Sequence, residues 1–436
     1  MNETAGFLGI LVLLLAILAG VNVMVALGVV GFLGLSFLVG IEPASTVLSN
    51  VAFSIVNGFH YSVVPMFLLM GFFAMQAGIG RDLFDAGTKW LGRIPGGLAV
   101  AATSAAAAFG AASGSSVGTA TLFTKLALPE MVERGYDKGL ASGSIAIAGT
   151  LAVLIPPSAL VVIYGILTNS SIAGLLVAGF LPGVVFAVLL VITIVIQVKL
   201  RPSLAPRYTN PVSLYERFRS LRLVGPLLLV IAAIIGGLYT GIFTPTEAGG
   251  IGALVTLIMA VVRKRSIRGV EIGKALIETV NLSAMIFAII IGALIFSRFL
   301  ALSGATDVLG DMISTEGMSV WMVVLLVTLV YLLLGTLMDP PALLAVSLPI
   351  THPVMMQLGF DPIWFGIYVV VLAEIGAVTP PVGLNCYVVK GAAGDLVELS
   401  DIFRGLWPFI LASFVMLGIL LLFPELVLFL PQSMKG

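Results

Sequence analysis

Two proline pairs, Pro156-Pro157 and Pro380-Pro381, stand inside apolar stretches of the chain. Proline has no backbone N–H and its ring crowds the preceding turn, so a pair breaks a helix. In lipid such a break is tolerated only where the freed backbone lines a cavity or is buried in protein. Each pair follows a Gly-aromatic-Asp turn, Gly135-Tyr136-Asp137 or Gly359-Phe360-Asp361. Corresponding residues stand 224 positions apart: Gly135 and Gly359, Asp137 and Asp361, Pro156 and Pro380, Leu160 and Leu384. Two breaks at matching places in two halves point to the binding site of a secondary transporter.

Polar residues cluster near these breaks. Ser113-Gly114-Ser115-Ser116 forms the middle of one apolar stretch. Its hydroxyls, with freed carbonyls, are hard oxygen ligands suited to an alkali cation. Small residues also suit close helix packing; the partnership with Pro156-Pro157 favours the ion site. Around the second pair, Thr379 and Asn385 supply side-chain oxygens, and Glu374 lies about one turn upstream. A carboxylate at mid-membrane is costly unless paired or in a wet cavity. Glu374 is read as protonated, as a proton carrier, or as a structural anchor behind the ligands, the anchor being favoured. Asp339, in Met338-Asp339-Pro340-Pro341, faces the same choice, or caps the half-helix that follows. Half-helix N-termini attract anions, while their C-termini and unwound carbonyls attract cations. A site flanked by both favours an anionic solute with coupling Na⁺, the solute lying against Ser116, Pro157, Ser158, Pro381 and Asn385.

The rest of the chain must position these groups in a membrane. It has 436 residues, 60% apolar and 10% charged, with mean hydropathy +1.18. Soluble domains carry about 25% charged residues. The single cysteine, Cys386, excludes an internal disulfide and a cysteine-rich metal cluster. His60 and His352 lie far apart and read as packing residues. No Gly-rich phosphate loop, histidine-metal motif or Ser–His arrangement is present, so the chain does not read as an enzyme. No nucleic-acid partner is expected. The N-terminal apolar run lacks a basic start and reads as a retained span rather than a signal peptide.

Apolar runs predict about ten spans: 6–21, 24–40, 62–80, 139–168, 172–198, 223–241, 246–262, 276–298, 362–389 and 406–430. Stretches 96–133 and 318–357 read as two re-entrant hairpins with polar tips. With the N-terminus outside, the cytoplasmic segments hold 19 of the 21 Lys and Arg residues; Arg298 and Lys435 are the exceptions. That satisfies the positive-inside rule. Five spans precede the basic connection and five follow it, so the second half runs inverted. The fold class is an all-α polytopic membrane protein with an inverted-topology repeat. Residues 1–200 form the first repeat (hairpin 96–133, broken helix 139–168). Residues 201–222 form a cytoplasmic basic connection, and 223–436 the second repeat (hairpin 318–357, broken helix 362–389). Segment 81–95 reads as an amphipathic surface helix rather than a polar loop. Thr246 reads as the cap of the span that begins at Glu247, and Arg298 as a lipid or packing contact.

At these residues the chain resembles the large membrane subunit of the tripartite ATP-independent periplasmic (TRAP) transporters. The likeness runs through Val64-Pro65-Met66-Phe67, Gly114-Ser115-Ser116-Val117, Ala127-Leu128-Pro129-Glu130-Met131 and Arg134-Gly135-Tyr136-Asp137-Lys138. It continues through Ile155-Pro156-Pro157-Ser158, Tyr239-Thr240-Gly241-Ile242-Phe243-Thr244-Pro245-Thr246-Glu247, Glu374-Ile375-Gly376 and Thr379-Pro380-Pro381-Val382-Gly383. The resemblance implies an elevator-type importer of organic acids, dicarboxylates or sugar acids, driven by a Na⁺ gradient. It implies a separate small four-helix membrane subunit, a periplasmic substrate-binding protein, and the cytoplasmic membrane of a bacterium or archaeon. It also implies two Na⁺ sites, one at Ser113, Gly114, Ser115, Ser116, Thr150 and Pro156. The other comprises Gly335, Asp339, Gly376, Thr379 and Gly383. A stand-alone anion carrier without a binding protein is the alternative within transport. A membrane scaffold without transport leaves two costly breaks at equivalent sites unexplained.

Overall fold

In the computed structural model the chain is described at residues 2–206, 212–264, 269–315 and 318–434. It is all-helical, with no strand among the described residues. The first half comprises α1 (Asn2–Leu18), α2 (Val23–Val39), α3 (Ile41–Asn57), α4 (Val63–Gln76), α5 (Ile79–Leu91), α6 (Gly97–Ser113), α7 (Ser116–Leu126), α8 (Leu128–Glu133), α9 (Lys138–Leu154), α10 (Ala159–Thr168), α11 (Ile172–Ala178) and α12 (Phe180–Leu200). The second comprises α13 (Leu214–Tyr239), α14 (Pro245–Lys264), α15 (Gly269–Ser303), α16 (Ala305–Thr315), α17 (Val320–Gly335), α18 (Pro340–Gln357), α19 (Pro362–Val378), α20 (Leu384–Ala393), α21 (Leu399–Leu422) and α22 (Glu425–Ser433).

All ten expected spans fall on helices. Among the described residues, six helical segments are long and apolar enough to cross a membrane, and the α9–α10 pair, bent by 46°, makes a seventh. Helices α1, α2 and α19 are 17 residues each, about 25 Å long at 1.5 Å per residue. The 224-residue spacing recurs in the helices: α9 and α19 begin at Lys138 and Pro362 and end at Leu154 and Val378. The pairs α6/α17 and α5/α16 keep it to within a few residues, and α18 spans the counterparts of both α7 and α8.

Three expectations change. The basic connection is helical from Leu214, because Ser213 and Glu216 form a reciprocal cap: Ser213 N–H donates to Glu216 Oε2 (3.0 Å) and Glu216 N–H to Ser213 Oγ (3.2 Å). The cap of α14 is Thr244 rather than Thr246. Thr244 N–H donates to Glu247 Oε2 (2.9 Å), Glu247 N–H returns to Thr244 Oγ1 (3.3 Å), and Pro245 opens the helix. Helices α3 and α16 occupy stretches where no element was expected. The span 276–298 belongs to the 35-residue α15, which matches α3 and α4 together. In the first half Gly58 and the 3₁₀ turn Phe59–Ser62 interrupt that course; position 282, its counterpart, is Leu282, and the helix continues.

Burial separates an inner group from an outer one. Every residue of α9 from Gly139 to Leu154 is buried, as is every residue of α19 from Trp364 to Val378. A helix apolar on all sides belongs inside. By contrast α1, α2, α12, α13 and α15 expose rows of large apolar side chains, such as Leu8, Leu11 and Leu15 on α1. Asp137 caps α9 through Leu140 N–H (2.9 Å), and Asp361 caps α19 through Ile363 N–H (2.7 Å) and Trp364 N–H (3.1 Å). Helices α9 and α19 touch, and the two halves exchange partners: α7 packs on α20, and α18 on α10. The expected amphipathic helix is α5, burying Ile79, Leu83 and Phe84. Its Trp90 donates Nε1–H to the Arg217 carbonyl of α13 (3.2 Å).

Candidate functional site

The first break lies between α9 and α10. Pro156 and Pro157 are joined by a cis bond. Neither donates an N–H, so the carbonyls of Ala152 and Val153 lose their i+4 donors. Ser158 then caps α10, its Oγ accepting from Val161 N–H (3.3 Å). Pro156, Pro157 and Ser158 are all buried.

The Ser-Gly-Ser-Ser tip between α6 and α7 rests on this break. Gly114 is left-handed, at φ 58°. A Cβ there would lie 3.0 Å from the Pro157 carbonyl oxygen and 3.4 Å from Ala159 N. Only a residue without a side chain permits both the turn and the approach. Ser113 Oγ pairs with Thr119 Oγ1 at 2.9 Å, and Ser115 caps α7 by accepting from Gly118 N–H (3.1 Å). The Ser116 carbonyl oxygen lies 2.9 Å from the place a Cβ of Gly149 would take, next to Thr150. The Thr150 hydroxyl donates to the Ile147 carbonyl (2.7 Å), leaving its lone pairs free to accept. Sequence reasoning missed Gly149 and Gly71; a Cβ on Gly71 would lie 2.8 Å from the Ser113 carbonyl oxygen. Their signal is small size within an apolar helix.

The second break lies between α19 and α20, and its Pro380-Pro381 bond is also cis. Thr379 ends α19, with Oγ1 donating to the Ile375 carbonyl (2.5 Å). Gly383 opens α20 at φ 63°, where a Cβ would lie 3.1 Å from the Val378 carbonyl oxygen. Gly335, the last residue of α17, and Gly376 face each other so closely that a Cβ on Gly376 would lie 2.7 Å from Gly335 Cα. Asp339 is half-buried in the N-cap position of α18, where its side chain forms no capping bond; its backbone carbonyl accepts from Leu343 N–H (2.9 Å). No hydrogen bond joins Asp339 to Thr379 among the described residues. Asn385 is fully buried, with both amide atoms lacking a protein partner. Pro381 and Val382 are exposed, unlike the first break.

The residues thus form two groups that meet where α9 and α19 touch. The Ser116 side chain of the first tip sits beside the Glu374 carboxyl of α19. No group of three or more His, Cys, Asp or Glu that could hold a metal ion occurs among the described residues. The oxygens present are hydroxyls, carbonyls and single carboxylates, which suit an alkali cation. The His60 ring lies tilted against Tyr61 (centroids 4.0 Å apart), and His352 lies among Tyr164 (6.2 Å) and Phe365 (6.4 Å). Arg298 is exposed on α15. Two cavities lie away from the breaks: a 520 Å³ apolar groove along α1 and α2, and a 440 Å³ cavity lined by His60, Asn169 and Thr244.

A polytopic helical protein with broken helices against small-residue tips is a membrane transporter by class. More narrowly, residues 8–426 match the family model of the tripartite ATP-independent periplasmic transporter, DctM component, and the chain belongs to that family. It is 39% identical to the C4-dicarboxylate TRAP transporter large permease protein DctM of Pseudomonas aeruginosa, covering 86% of this chain and 87% of that one. The protein of the same name from Rhodobacter capsulatus is 32% identical over 97% and 98% of the two chains. The sialic acid TRAP transporter large permease protein SiaM of Vibrio cholerae is 32% identical over 93% and 94%. Among solved structures, the Alcanivorax borkumensis YdaH transporter is similar in fold, with TM-score 0.58 at 15% identity over 88% of this chain and 89% of that one.

Proposed function

We propose that the chain is the large permease subunit of a Na⁺-coupled importer of small organic acids, dicarboxylates or sugar acids. The carrying observation is the pair of equivalent helix breaks, one of them seated directly under a Ser-Gly-Ser-Ser tip. Relatives named for C4-dicarboxylate and sialic acid support the substrate class. The N-termini of α10 and α20 offer N–H groups and positive dipole ends to a carboxylate. The solute lies between the breaks, against Ser116, Pro157, Ser158, Pro381 and Asn385. One Na⁺ is held by Ser113, Gly114, Ser115, Ser116, Thr150 and Pro156. A second is held by Gly335, Asp339, Gly376, Thr379 and Gly383. Each cation crossing about 100 mV contributes about 2.3 kcal/mol to uptake.

The two hairpins and two broken helices move together as an elevator within the outer helices, and the two halves are inverted in the membrane. The N-terminus faces outward, and the complex resides in the cytoplasmic membrane. A small four-helix subunit completes it, and a periplasmic binding protein delivers the solute. The test is reconstitution of the chain with both partners in liposomes. An inward Na⁺ gradient should drive uptake of labelled dicarboxylate or sialic acid. Uptake indifferent to Na⁺ removal would refute the coupling; uptake indifferent to the binding protein would favour a stand-alone carrier.

A further inference from the structure

Asn385 is 0% exposed, and among the described residues neither its Oδ1 nor its Nδ2 has a hydrogen-bond partner. Burying an amide with both ends unpaired is strongly unfavourable, so it marks a place where another group binds. The repeated architecture does not require it: position 161, 224 residues earlier, is a buried valine. Asn385 shares the buried face of α20 with Cys386, Val389 and Ala393, and α20 packs on α7, α9 and α21. The amide thus lies inside the protein, in the first turn after the second break. The two breaks also differ in how their half-helices begin. At α10 the Ser158 side chain takes the Val161 N–H (3.3 Å), and Gly114 of the first tip lies over Ala159 N. At α20 the cap is Gly383, which has no side chain to offer, and no side chain bonds the first turn. The first N–H groups of a helix have no partner within it, so α20 keeps them for an anion.

We propose that the second break selects hydroxy acids, with Asn385 as the residue that sets the preference. The solute's carboxylate sits on the uncapped N-terminus of α20. The carboxamide presents a donor and an acceptor side by side. A carboxylate oxygen with a neighbouring hydroxyl is their complement: Nδ2–H donates to the carboxylate, and the solute's O–H donates to Oδ1. A plain carboxylic acid of the same length fills only the donor and leaves Oδ1 buried and unpaired. Sites built to bond a substrate hydroxyl reject the analogue that lacks it for this reason. This rests on the organic-acid reading above and narrows its substrate class.

The experiment is equilibrium binding of radiolabelled succinate, L-malate and D-malate to the full chain in nanodiscs at saturating Na⁺, with no binding protein present. Malate differs from succinate by one hydroxyl. One malate enantiomer should bind about 10- to 100-fold more tightly than succinate, the cost of leaving a buried acceptor unpaired. Asn385→Leu keeps the shape and removes both polar atoms, so it should bind malate and succinate alike. Without solute it should also melt above the parent, because the orphaned amide is gone. A lower melting temperature would show that the protein itself holds the amide, and would overturn the proposal. Asn385→Ala serves for the binding comparison if the leucine variant does not fold. A parent that binds malate no more tightly than succinate, or a malate preference that survives in the variant, overturns the role of Asn385 and leaves organic-acid import standing. A parent chain that binds none of the three overturns both readings.

Discussion

Gly114→Ala separates backbone strain from contact at the first tip. Gly114 sits at φ 58°, and an alanine in left-handed geometry costs about 1–2 kcal/mol. Gly78 offers a control at φ 71°, with nothing within 4 Å of a Cβ. The two substitutions therefore share the dihedral cost but not the neighbour. At Gly114 the added Cβ meets the Pro157 carbonyl oxygen at 3.0 Å, so the tip or the break must yield by a few tenths of an ångström. Binding sites must hold their groups to within about 0.5 Å. Both variants should insert and fold, because about 1–2 kcal/mol is a fraction of typical domain stability. Gly114→Ala should raise the half-saturating Na⁺ for uptake about tenfold, equivalent to about 1.4 kcal/mol; Gly78→Ala should leave it unchanged. Thermal unfolding of purified protein and Na⁺ titration of uptake measure the two parts. Equal Na⁺ dependence in both variants would show that contact between tip and break does not set cation affinity.

Ser115→Ala and Thr379→Ala should each impair uptake while insertion and folding persist; normal uptake in both counts against the proposed ion sites. Asp137→Ala and Asp361→Ala remove the caps that begin the two broken helices and should each lower stability by about 1 kcal/mol. Asn at either position should recover most of the loss in a thermal melt. Gly376→Ala places a methyl group 2.7 Å from Gly335 Cα and should cost about 1–3 kcal/mol through overpacking. A melting temperature equal to the parent's would refute that close approach.

Hydrophobic runs and proline pairs are local signals: against the expected 139–168 and 362–389, α9–α10 run from Lys138 to Thr168 and α19–α20 from Pro362 to Ala393. Helix α3 escaped because Glu42, Pro43, Ser45 and Thr46 interrupt its apolar pattern, as a loop would. The start of α13 escaped because Arg217, Arg219 and Arg222 resemble a solvated connection. The Ser213–Glu216 spacing was the available signal for a helix start. At the site, the serine tip and the two breaks were legible because each departs from the surrounding chain. The pairing of Gly114 with Pro157, of Gly335 with Gly376, and of Ser116 with Glu374 was not. Each joins residues distant in sequence, and nothing in local composition identifies a tertiary neighbour.

The packing of α21 bears on which elements move together. Gly405 on α21 meets Gly139 and Gly143 on α9, and a Cβ on Gly143 would lie 2.7 Å from the Gly405 carbonyl carbon. Small residues at a crossing bring helix backbones together, and in lipid such packing replaces the hydrophobic drive that holds soluble bundles. Helix α9 is buried along its length and touches α6, α7, α19 and α21. If the broken helices translocate as one body, α21 travels with them. Gly405→Leu should force α21 off α9, abolishing uptake and lowering thermal stability. Gly418→Leu, on the same helix with nothing within 4 Å of its Cβ, should be tolerated. Normal uptake by Gly405→Leu would place α21 outside the moving body and confine it to the hairpins and broken helices.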